Sequence, residues 1–137
     1  MPSIAIVDSG PLIASAIASD PDHRACLEAL RTPGLHLVIP VLCVAEAAYF
    51  IATRGDARSE AAFLRGLQDF DVRSPEPDDW KRIADLVEQY AELELGATDA
   101  SVVAVAERLR TDLIVTLDHR HFRAVRPAHR NAFRLLP

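Results

Sequence analysis

Two runs of mostly apolar residues divide the chain, and each of them ends on an aspartate. Residues 4–7 run directly into Asp8, and residues 113–117 run directly into Asp118. Short apolar runs rich in β-branched residues are typical of strands buried on both faces of a parallel sheet. A glycine and a proline follow Asp8 and predict a tight turn into a helix. Asp8 is therefore expected at the carboxyl end of a central strand, the edge at which open α/β sheets bind ligands.

Segments with helical periodicity alternate with strand-like segments along the chain. Further strands are predicted over residues 35–39, 70–73 and 131–136. The predicted helices cover residues 12–18, 20–31, 40–53 and 57–67, two more begin near residues 78 and 96, and a helical turn spans 119–122. Such alternation gives a parallel sheet with helices on both faces, because the crossover connections are right-handed. The pattern thus predicts a single α/β domain over residues 1–137.

The overall charge excludes one broad class of function. The chain has 15 basic and 20 acidic side chains, a net charge of −5, which does not suit a protein that coats polyanions non-specifically. No apolar run is long enough to span a bilayer, and the first residues do not form a signal peptide. These features predict a chain that works in a reducing cytoplasm, away from membranes.

Both cysteines and the single tryptophan are assigned to the core. Cys26 and Cys43 lie on apolar helical stripes and form no Cys-x-x-Cys pair, so they are expected to be unreactive core thiols. Trp80 shares a helical stripe with Ile83 and Val87. This spacing predicts a core side chain rather than a platform on which nucleic-acid bases stack.

Positive charge is concentrated near the end of the chain. From residue 119 onward there is no acidic side chain, and there are five arginines. They are Arg120, Arg123, Arg126, Arg130 and Arg134. Guanidinium groups bind phosphate well. This segment is therefore expected either to contact a phosphate backbone or to form a solvated surface.

Glu46 falls in the middle of an apolar helical stripe. The inward side chains of this helix are predicted to be Leu42, Cys43, Tyr49 and Phe50. A buried carboxylate is costly unless it meets a cation, a metal ion or a hydrogen-bond donor. The alternative is that Glu46 is rotated to the margin of the stripe and exposed.

Asp99 lies on an apolar stripe of the next-to-last helix, in line with Val102, Val103 and Ala106. Thr98 and Asp99 have an alternative role as caps of that helix. With Asp8 and Asp118 at the ends of central strands, this helix and that of Glu46 bring four carboxylates towards one edge of the sheet.

Four clustered carboxylates repel one another and take up protons unless a divalent cation holds them. Hard oxygen ligands suit Mg²⁺ or Mn²⁺, and no cysteine–histidine spacing fits a zinc site. A carboxylate-held Mg²⁺ site generally serves phosphate chemistry, because the metal activates water and neutralises the phosphate under attack.

The order and spacing of these segments resemble the PIN domain family, and more narrowly the VapC toxins of type II toxin–antitoxin systems. The resemblance extends from Ile4 to the end of the chain. It rests on Ile6–Leu12, on Glu46 shortly after Ile39–Val41, on Thr98–Ala100 at the start of an alanine-rich helix, and on Thr116–Asp118 followed by Phe122.

The resemblance implies a five-stranded parallel sheet and a Mg²⁺- or Mn²⁺-dependent endoribonuclease that hydrolyses RNA phosphodiester bonds. It also implies a homodimer that is inhibited by a cognate VapB-type antitoxin. The acidic quartet of the family matches Asp8, Glu46, Asp99 and Asp118, which are thereby assigned as catalytic and metal-binding residues. The alternative function is a non-catalytic PIN-like module that binds RNA or a protein.

The resemblance also assigns supporting residues around the quartet. Ser9 matches the hydroxyl beside the first acid and Thr116 the polar residue of the last motif, and Thr98 is assigned with them as a hydrogen-bonding support. Many members carry a further aspartate near the last motif, where this chain has His121. His121 is expected to face either the RNA phosphate or the solvent, and Arg120 and Arg123 are the other candidates for RNA contact.

Overall fold

Five strands form one parallel sheet. The computed structural model describes residues 2–137, so Met1, the first residue of the predicted domain, lies outside the described range. The strands are β1 (Ser3–Val7), β2 (Leu35–Pro40), β3 (Asp71–Arg73), β4 (Leu113–Val115) and β5 (Arg134–Leu136). They lie in the order β3-β2-β1-β4-β5, and each neighbouring pair is parallel. The strand that ends at Asp8 is therefore central, as the sequence predicts.

Helices connect the strands and cover the sheet on both faces. They are α1 (Ser9–Ala16), α2 (His23–Leu30), α3 (Val41–Arg54), α4 (Ala57–Gly66), α5 (Pro77–Gln89), α6 (Ala97–Arg108) and α7 (His119–Ala124). The crossovers from β1 to β3 run one way across the sheet, and the crossover from β3 to β4 runs back. Right-handed crossovers in opposite directions place their helices on opposite faces. The predicted α/β class and the flanked parallel sheet are confirmed.

The core is built from the central strands and α6. Residues 5–7 and 113–115 are buried, and so is every residue of α6 from Ala100 to Ala106. Apart from Ser101 this stretch is apolar on all sides, and such a helical segment lies inside a structure rather than at its surface. Cys26 and Cys43 are buried and free, which confirms their assignment to the core.

The prediction for Trp80 is wrong, because α5 is rotated relative to the predicted stripe. Its third residue, Asp79, is buried and accepts hydrogen bonds from the Glu76 backbone nitrogen at 2.8 Å and from Arg108 Nε at 2.9 Å. These two bonds turn Asp79 inward on the same side as Leu86. Trp80, one residue further round the helix, is turned to the solvent and is 52% exposed.

None of the helices within residues 2–137 combines the length and the apolar composition that a membrane crossing requires.

Candidate active site

Asp8 lies directly after β1 and caps the amino end of α1. Its carboxylate is buried, with the residue 3% exposed. Its backbone nitrogen donates to the Val115 carbonyl at 2.9 Å, which extends the β1–β4 pairing by one residue. Its Oδ1 accepts a hydrogen bond from the Ser9 backbone nitrogen at 2.8 Å, and the Cys43 thiol lies 3.9 Å from the same oxygen. The strand end and the helix start together fix the direction of this carboxylate.

Thr116 joins the ends of β1 and β4 through its side chain. It is completely buried, and its Oγ1 donates to Asp8 Oδ2 at 2.8 Å. The same oxygen accepts a hydrogen bond from the Asp118 backbone nitrogen at 2.9 Å. One hydroxyl therefore sets the spacing between the two strand-end acids. Thr116 thus contacts Asp8 and Asp118, and its supporting role in the site stays a prediction.

Asp118 caps α7 and contacts a histidine of the same helix. Its Oδ1 accepts a hydrogen bond from the His121 backbone nitrogen at 3.0 Å. Its Oδ2 lies 2.6 Å from His121 Nδ1. The first turn of α7 thus holds both the carboxylate and the imidazole in place.

Glu46 lies on α3, at the margin of its buried side. The buried residues of this helix are Cys43, Ala47 and Ile51, whereas Tyr49, predicted to face inward, is 64% exposed. Glu46 is half-buried and accepts a hydrogen bond on Oε1 from Ser9 Oγ at 2.9 Å. The marginal position expected as the alternative is found, but this side chain faces the same cavity as Asp8 rather than open solvent.

Asp99 is the third residue of α6, whose N-cap is Gly96. The capping role considered for Thr98 and Asp99 is therefore not found. Asp99 Oδ2 lies 3.0 Å from His121 Nδ1. Thr98 accepts a hydrogen bond from Ser101 through its carbonyl oxygen at 2.6 Å, and within residues 2–137 its hydroxyl bonds to none of the four acids.

Burial and neighbouring negative charge disfavour the ionisation of two of the acids, Asp8 and Asp99. Burial raises the pKa of Asp8, and the hydrogen bond from Thr116 opposes this shift. Burial, followed by the negative charges of Asp8 and Asp118, raises the pKa of Asp99 to about 6. The pKa of the buried Cys43 thiol is also raised well above its usual value, so this thiol stays protonated beside the acids. Bound positive charge would stabilise the ionised cluster.

All four predicted acids line one cavity of about 530 Å³ at the carboxyl edge of the sheet. The lining residues are Asp8, Ser9, Gly10, Ile13, Asp20, Asp22, Glu46, Phe50, Arg54, Asp99, Leu117 and Asp118. The structure therefore brings together the acids that the sequence pattern placed on two strands and two helices.

The sequence pattern does not predict three charged residues of this cavity. It indicates Asp20 and Asp22 only as the start of a helix, and in the structure they also form part of the wall. Arg54, the last residue of α3, lies with its guanidinium carbon 5.1 Å from the centre of the Phe50 ring. Glu46, Phe50 and Arg54 are spaced at four-residue intervals, which places them on one helix face. This spacing is the sequence feature from which the position of Arg54 beside Glu46 could be predicted.

The three candidates for RNA contact are placed differently. Arg120 and Arg123 are exposed on α7 and do not line the cavity, so their contact with RNA stays a prediction. His121 is turned towards the cluster, with Nδ1 at Asp99 and Asp118 and Nε2 2.9 Å from the Leu93 carbonyl oxygen. Its ring nitrogens are therefore engaged inside the protein.

The donor atoms fit a hard divalent cation. Four carboxylates face one cavity. One ligand atom from each of Asp99, Asp118 and His121 lies within 4.8 Å of the ligand atoms of the other two residues. Carboxylate oxygens are the ligands that Mg²⁺ and Mn²⁺ prefer. Burial, and after it the negative charge of the neighbouring acids, raises the pKa values of Asp8 and Asp99, and a bound cation would offset both effects.

Comparison with known proteins places the chain in a family. The sequence profile of the PIN domain matches residues 5–127. The chain is 35% identical over 134 residues to Ribonuclease VapC26 of Mycobacterium tuberculosis (strain ATCC 25618 / H37Rv), an alignment that covers 96% of this chain and 99% of the relative.

Two solved structures share the fold at 18% sequence identity. The crystal structure of Mycobacterium tuberculosis VapC20, a sarcin-ricin loop cleaving toxin, has a TM-score of 0.76, with 82% of this chain and 87% of that chain covered. A toxin–antitoxin complex from Klebsiella pneumoniae has a TM-score of 0.68, with 88% and 92% covered. From the sequence match and the shared fold, the chain belongs to the PIN domain family and, within it, to the VapC proteins.

Proposed function

We propose that this chain is a divalent-metal-dependent endoribonuclease, the toxin of a VapBC-type toxin–antitoxin system. The observation that carries the proposal is the convergence of Asp8, Glu46, Asp99 and Asp118 on one cavity. The name of the relative Ribonuclease VapC26, and the description of VapC20 as a toxin that cleaves the sarcin-ricin loop, support RNA as the substrate.

Asp8, Asp99 and Asp118 are the residues that would hold Mg²⁺ or Mn²⁺. Such an ion, when bound, neutralises charge on the scissile phosphate and makes water a better nucleophile. The chain itself holds the acidic side chains in position before the ion binds. Thr116 fixes the strand-end acids relative to each other, and the caps of α1 and α7 fix their orientations.

Glu46 orients the attacking water and accepts its proton as the phosphodiester is hydrolysed. The Ser9 hydroxyl holds Oε1 of Glu46 at 2.9 Å, so this carboxylate has a defined position on the wall of the cavity. A fixed carboxylate within hydrogen-bonding reach of water is what general-base catalysis requires.

Cleavage of total RNA by the purified chain tests the proposal. Reactions contain Mg²⁺, Mn²⁺ or EDTA, and an Asp99→Asn protein prepared in the same way controls for contaminating nuclease. We expect cleavage with either metal, none with EDTA and none with the variant. The proposal fails if EDTA has no effect or if both proteins cleave equally.

A selective enzyme leaves most RNA intact, so calorimetric titration with Mn²⁺ accompanies the cleavage assay. Wild-type protein is expected to bind Mn²⁺, and Asp99→Asn is expected to bind it at least about tenfold more weakly. Absence of both Mn²⁺ binding and cleavage would overturn the proposal in favour of a non-catalytic PIN-like module.

Arg54 is expected to position the RNA backbone at the mouth of the cavity. It is the one basic side chain among the lining residues, and within residues 2–137 it forms no ion pair. Contact with the Phe50 ring restricts the guanidinium without using its donors. Arg54→Ala should raise KM for RNA about tenfold and leave kcat nearly unchanged, because a phosphate contact positions the substrate.

The salt dependence of RNA binding distinguishes this role from a general effect of charge. Loss of one phosphate contact should reduce the slope of log K against log salt by about 0.7. Arg65→Ala removes an exposed charge on α4 that does not line the cavity and is the matched control. Equal effects of the two substitutions on KM would show that Arg54 has no specific role.

The proposal includes a cognate VapB-type antitoxin as partner. An apolar groove of about 450 Å³ lies between α1, α2 and α4, and Leu30, Phe63 and Phe70 are among its lining residues. Phe70 is 41% exposed. A partly exposed apolar groove of this kind suits an apolar segment of a protein partner. The homodimer implied by the family resemblance stays a prediction.

A further inference from the structure

The imidazole of His121 has acceptors on both of its nitrogens. Nδ1 lies 2.6 Å from Asp118 Oδ2 and 3.0 Å from Asp99 Oδ2. Nε2 lies 2.9 Å from the carbonyl oxygen of Leu93. Within residues 2–137, His121 is the only histidine that contacts the four acids of the cavity.

The Leu93 carbonyl determines which nitrogen keeps its proton. A carbonyl oxygen only accepts hydrogen bonds, so Nε2 of His121 must donate. A cation placed between the carboxylates would bind the lone pair of Nδ1, and the proton that Nδ1 shares with Asp99 or Asp118 would pass to the solvent. A ring nitrogen that donates to a backbone carbonyl while the opposite nitrogen faces a metal site is the usual arrangement of a ligating histidine.

The three donor groups come from the starts of two helices, α6 and α7, which bring them close together. Asp99 is in the first turn of α6, Asp118 precedes α7, and His121 is in the first turn of α7. Their ligand atoms lie within 4.8 Å of one another. His121 is one-sixth exposed, with 16% of its side-chain surface accessible, so its position is set by packing as well as by hydrogen bonds.

We propose that His121 Nδ1 is a nitrogen ligand of the divalent ion and that it makes this centre select Mn²⁺ over Mg²⁺. The inference rests on the metal site of the proposed function and deepens it. Mg²⁺ binds chiefly oxygen ligands in near-ideal octahedral geometry. Mn²⁺ shares this preference for carboxylates but, as a first-row transition metal, accepts a nitrogen ligand more readily than Mg²⁺ does. Replacing an oxygen donor by nitrogen at one corner of an acidic site therefore favours Mn²⁺.

Pulsed electron paramagnetic resonance of the Mn²⁺-loaded full chain tests the ligand directly. A nitrogen bound to Mn²⁺ produces ¹⁴N modulation of the electron spin echo. We expect this modulation in wild type and in His119→Asn, a matched loss of a histidine two residues away, and we expect it to be absent in His121→Asn. Wild-type protein that binds Mn²⁺ without ¹⁴N modulation would overturn the assignment of His121 and leave the carboxylate metal site intact.

Calorimetric titrations with Mn²⁺ and Mg²⁺ test the selectivity. His121→Asp converts the donor set to oxygen alone, and the ratio of Mn²⁺ to Mg²⁺ affinity should fall at least about tenfold relative to wild type. An unchanged ratio in a folded His121→Asp protein would refute the selectivity. Failure of wild type to bind either metal would refute the metal site as well, so the two proposals fail in different ways.

Discussion

Asp99→Asn is expected to reduce metal-dependent RNA cleavage by at least about a hundredfold and to make the metal-free protein more stable. Activity falls because an amide is a poorer ligand for a hard cation than a carboxylate is. Stability rises because burial and the charges of Asp8 and Asp118 oppose ionisation of Asp99 and raise its pKa to about 6. The asparagine carries no charge and does not experience this repulsion.

The gain in stability has a defined pH dependence. Asp99 titrates near pH 3.8 when unfolded and near pH 6 when folded, so the folded state holds the proton more tightly. The cost of ionisation is absent below pH about 4, grows up to pH about 6 and is complete above it. At pH 7.5 in EDTA, urea unfolding should show the variant more stable by about 1–3 kcal/mol, and at pH 3.5 the difference should vanish.

Asp112→Asn is the matched control, because the surroundings of Asp112 lower the pKa of its carboxyl group, whereas those of Asp99 raise it. Hydrogen bonds from Arg134 at 2.8 and 3.0 Å lower the pKa of Asp112. Its replacement should therefore destabilise the protein at pH 7.5. If Asp99→Asn also destabilised the metal-free protein at this pH, the unfavourable effects of burial and like charge on Asp99 would not outweigh its favourable contacts.

Thr116→Val is expected to lower the free energy of unfolding by about 2–3 kcal/mol and to weaken Mn²⁺ binding by at least about tenfold. Valine has nearly the shape of threonine but lacks the hydroxyl. The Asp118 backbone nitrogen then loses its acceptor, and Asp8 loses a donor in a buried position. In wild type the hydrogen bond from Thr116 lowers the pKa of Asp8 and opposes the effect of burial. Without this bond the pKa of Asp8 should rise further. A ligand that must lose a proton first binds a metal more weakly.

Thr116→Ser separates the hydroxyl from the packing of the methyl group. Serine can keep both hydrogen bonds and should cost about 1 kcal/mol of stability, with Mn²⁺ affinity close to that of wild type. Calorimetry and urea unfolding of the three proteins measure both effects. Equal metal affinities for the valine and serine variants would show that the hydroxyl does not support the site.

The sheet and the approach of the four acids to one edge were predictable because each depends on local sequence. The runs before Asp8 and Asp118 are short, apolar and mostly β-branched, so they form buried strands whose carboxyl ends must share an edge. Helical spacing places Asp99 in line with a buried stripe, and it allows Glu46 either inside its stripe or at the margin, where the structure has it. The catalytic and metal-binding roles of these acids are proposals that go beyond their positions.

Contacts between residues far apart in sequence were not predictable. Asp79 is turned inward by Arg108, 29 residues away, and this contact turns Trp80 outward against its apolar periodicity. The partners of His121 include the Leu93 carbonyl oxygen, 28 residues earlier. The apolar stripe of a helix shows which side chains can be buried. The rotation of the helix also depends on whether a buried polar side chain has a hydrogen-bond partner, and that partner can be distant in sequence.

The capping roles of Asp8 and Asp118 constrain how this protein can drift if selection on its activity is relaxed. Each side chain accepts a hydrogen bond from the first turn of the helix that follows it. Alanine or a larger apolar residue at either position loses a cap as well as a carboxylate, at a cost of about 1 kcal/mol. A homologue that has lost its activity is therefore expected to have asparagine, serine or threonine at these two positions. Inactive homologues should be recognisable by these capping residues.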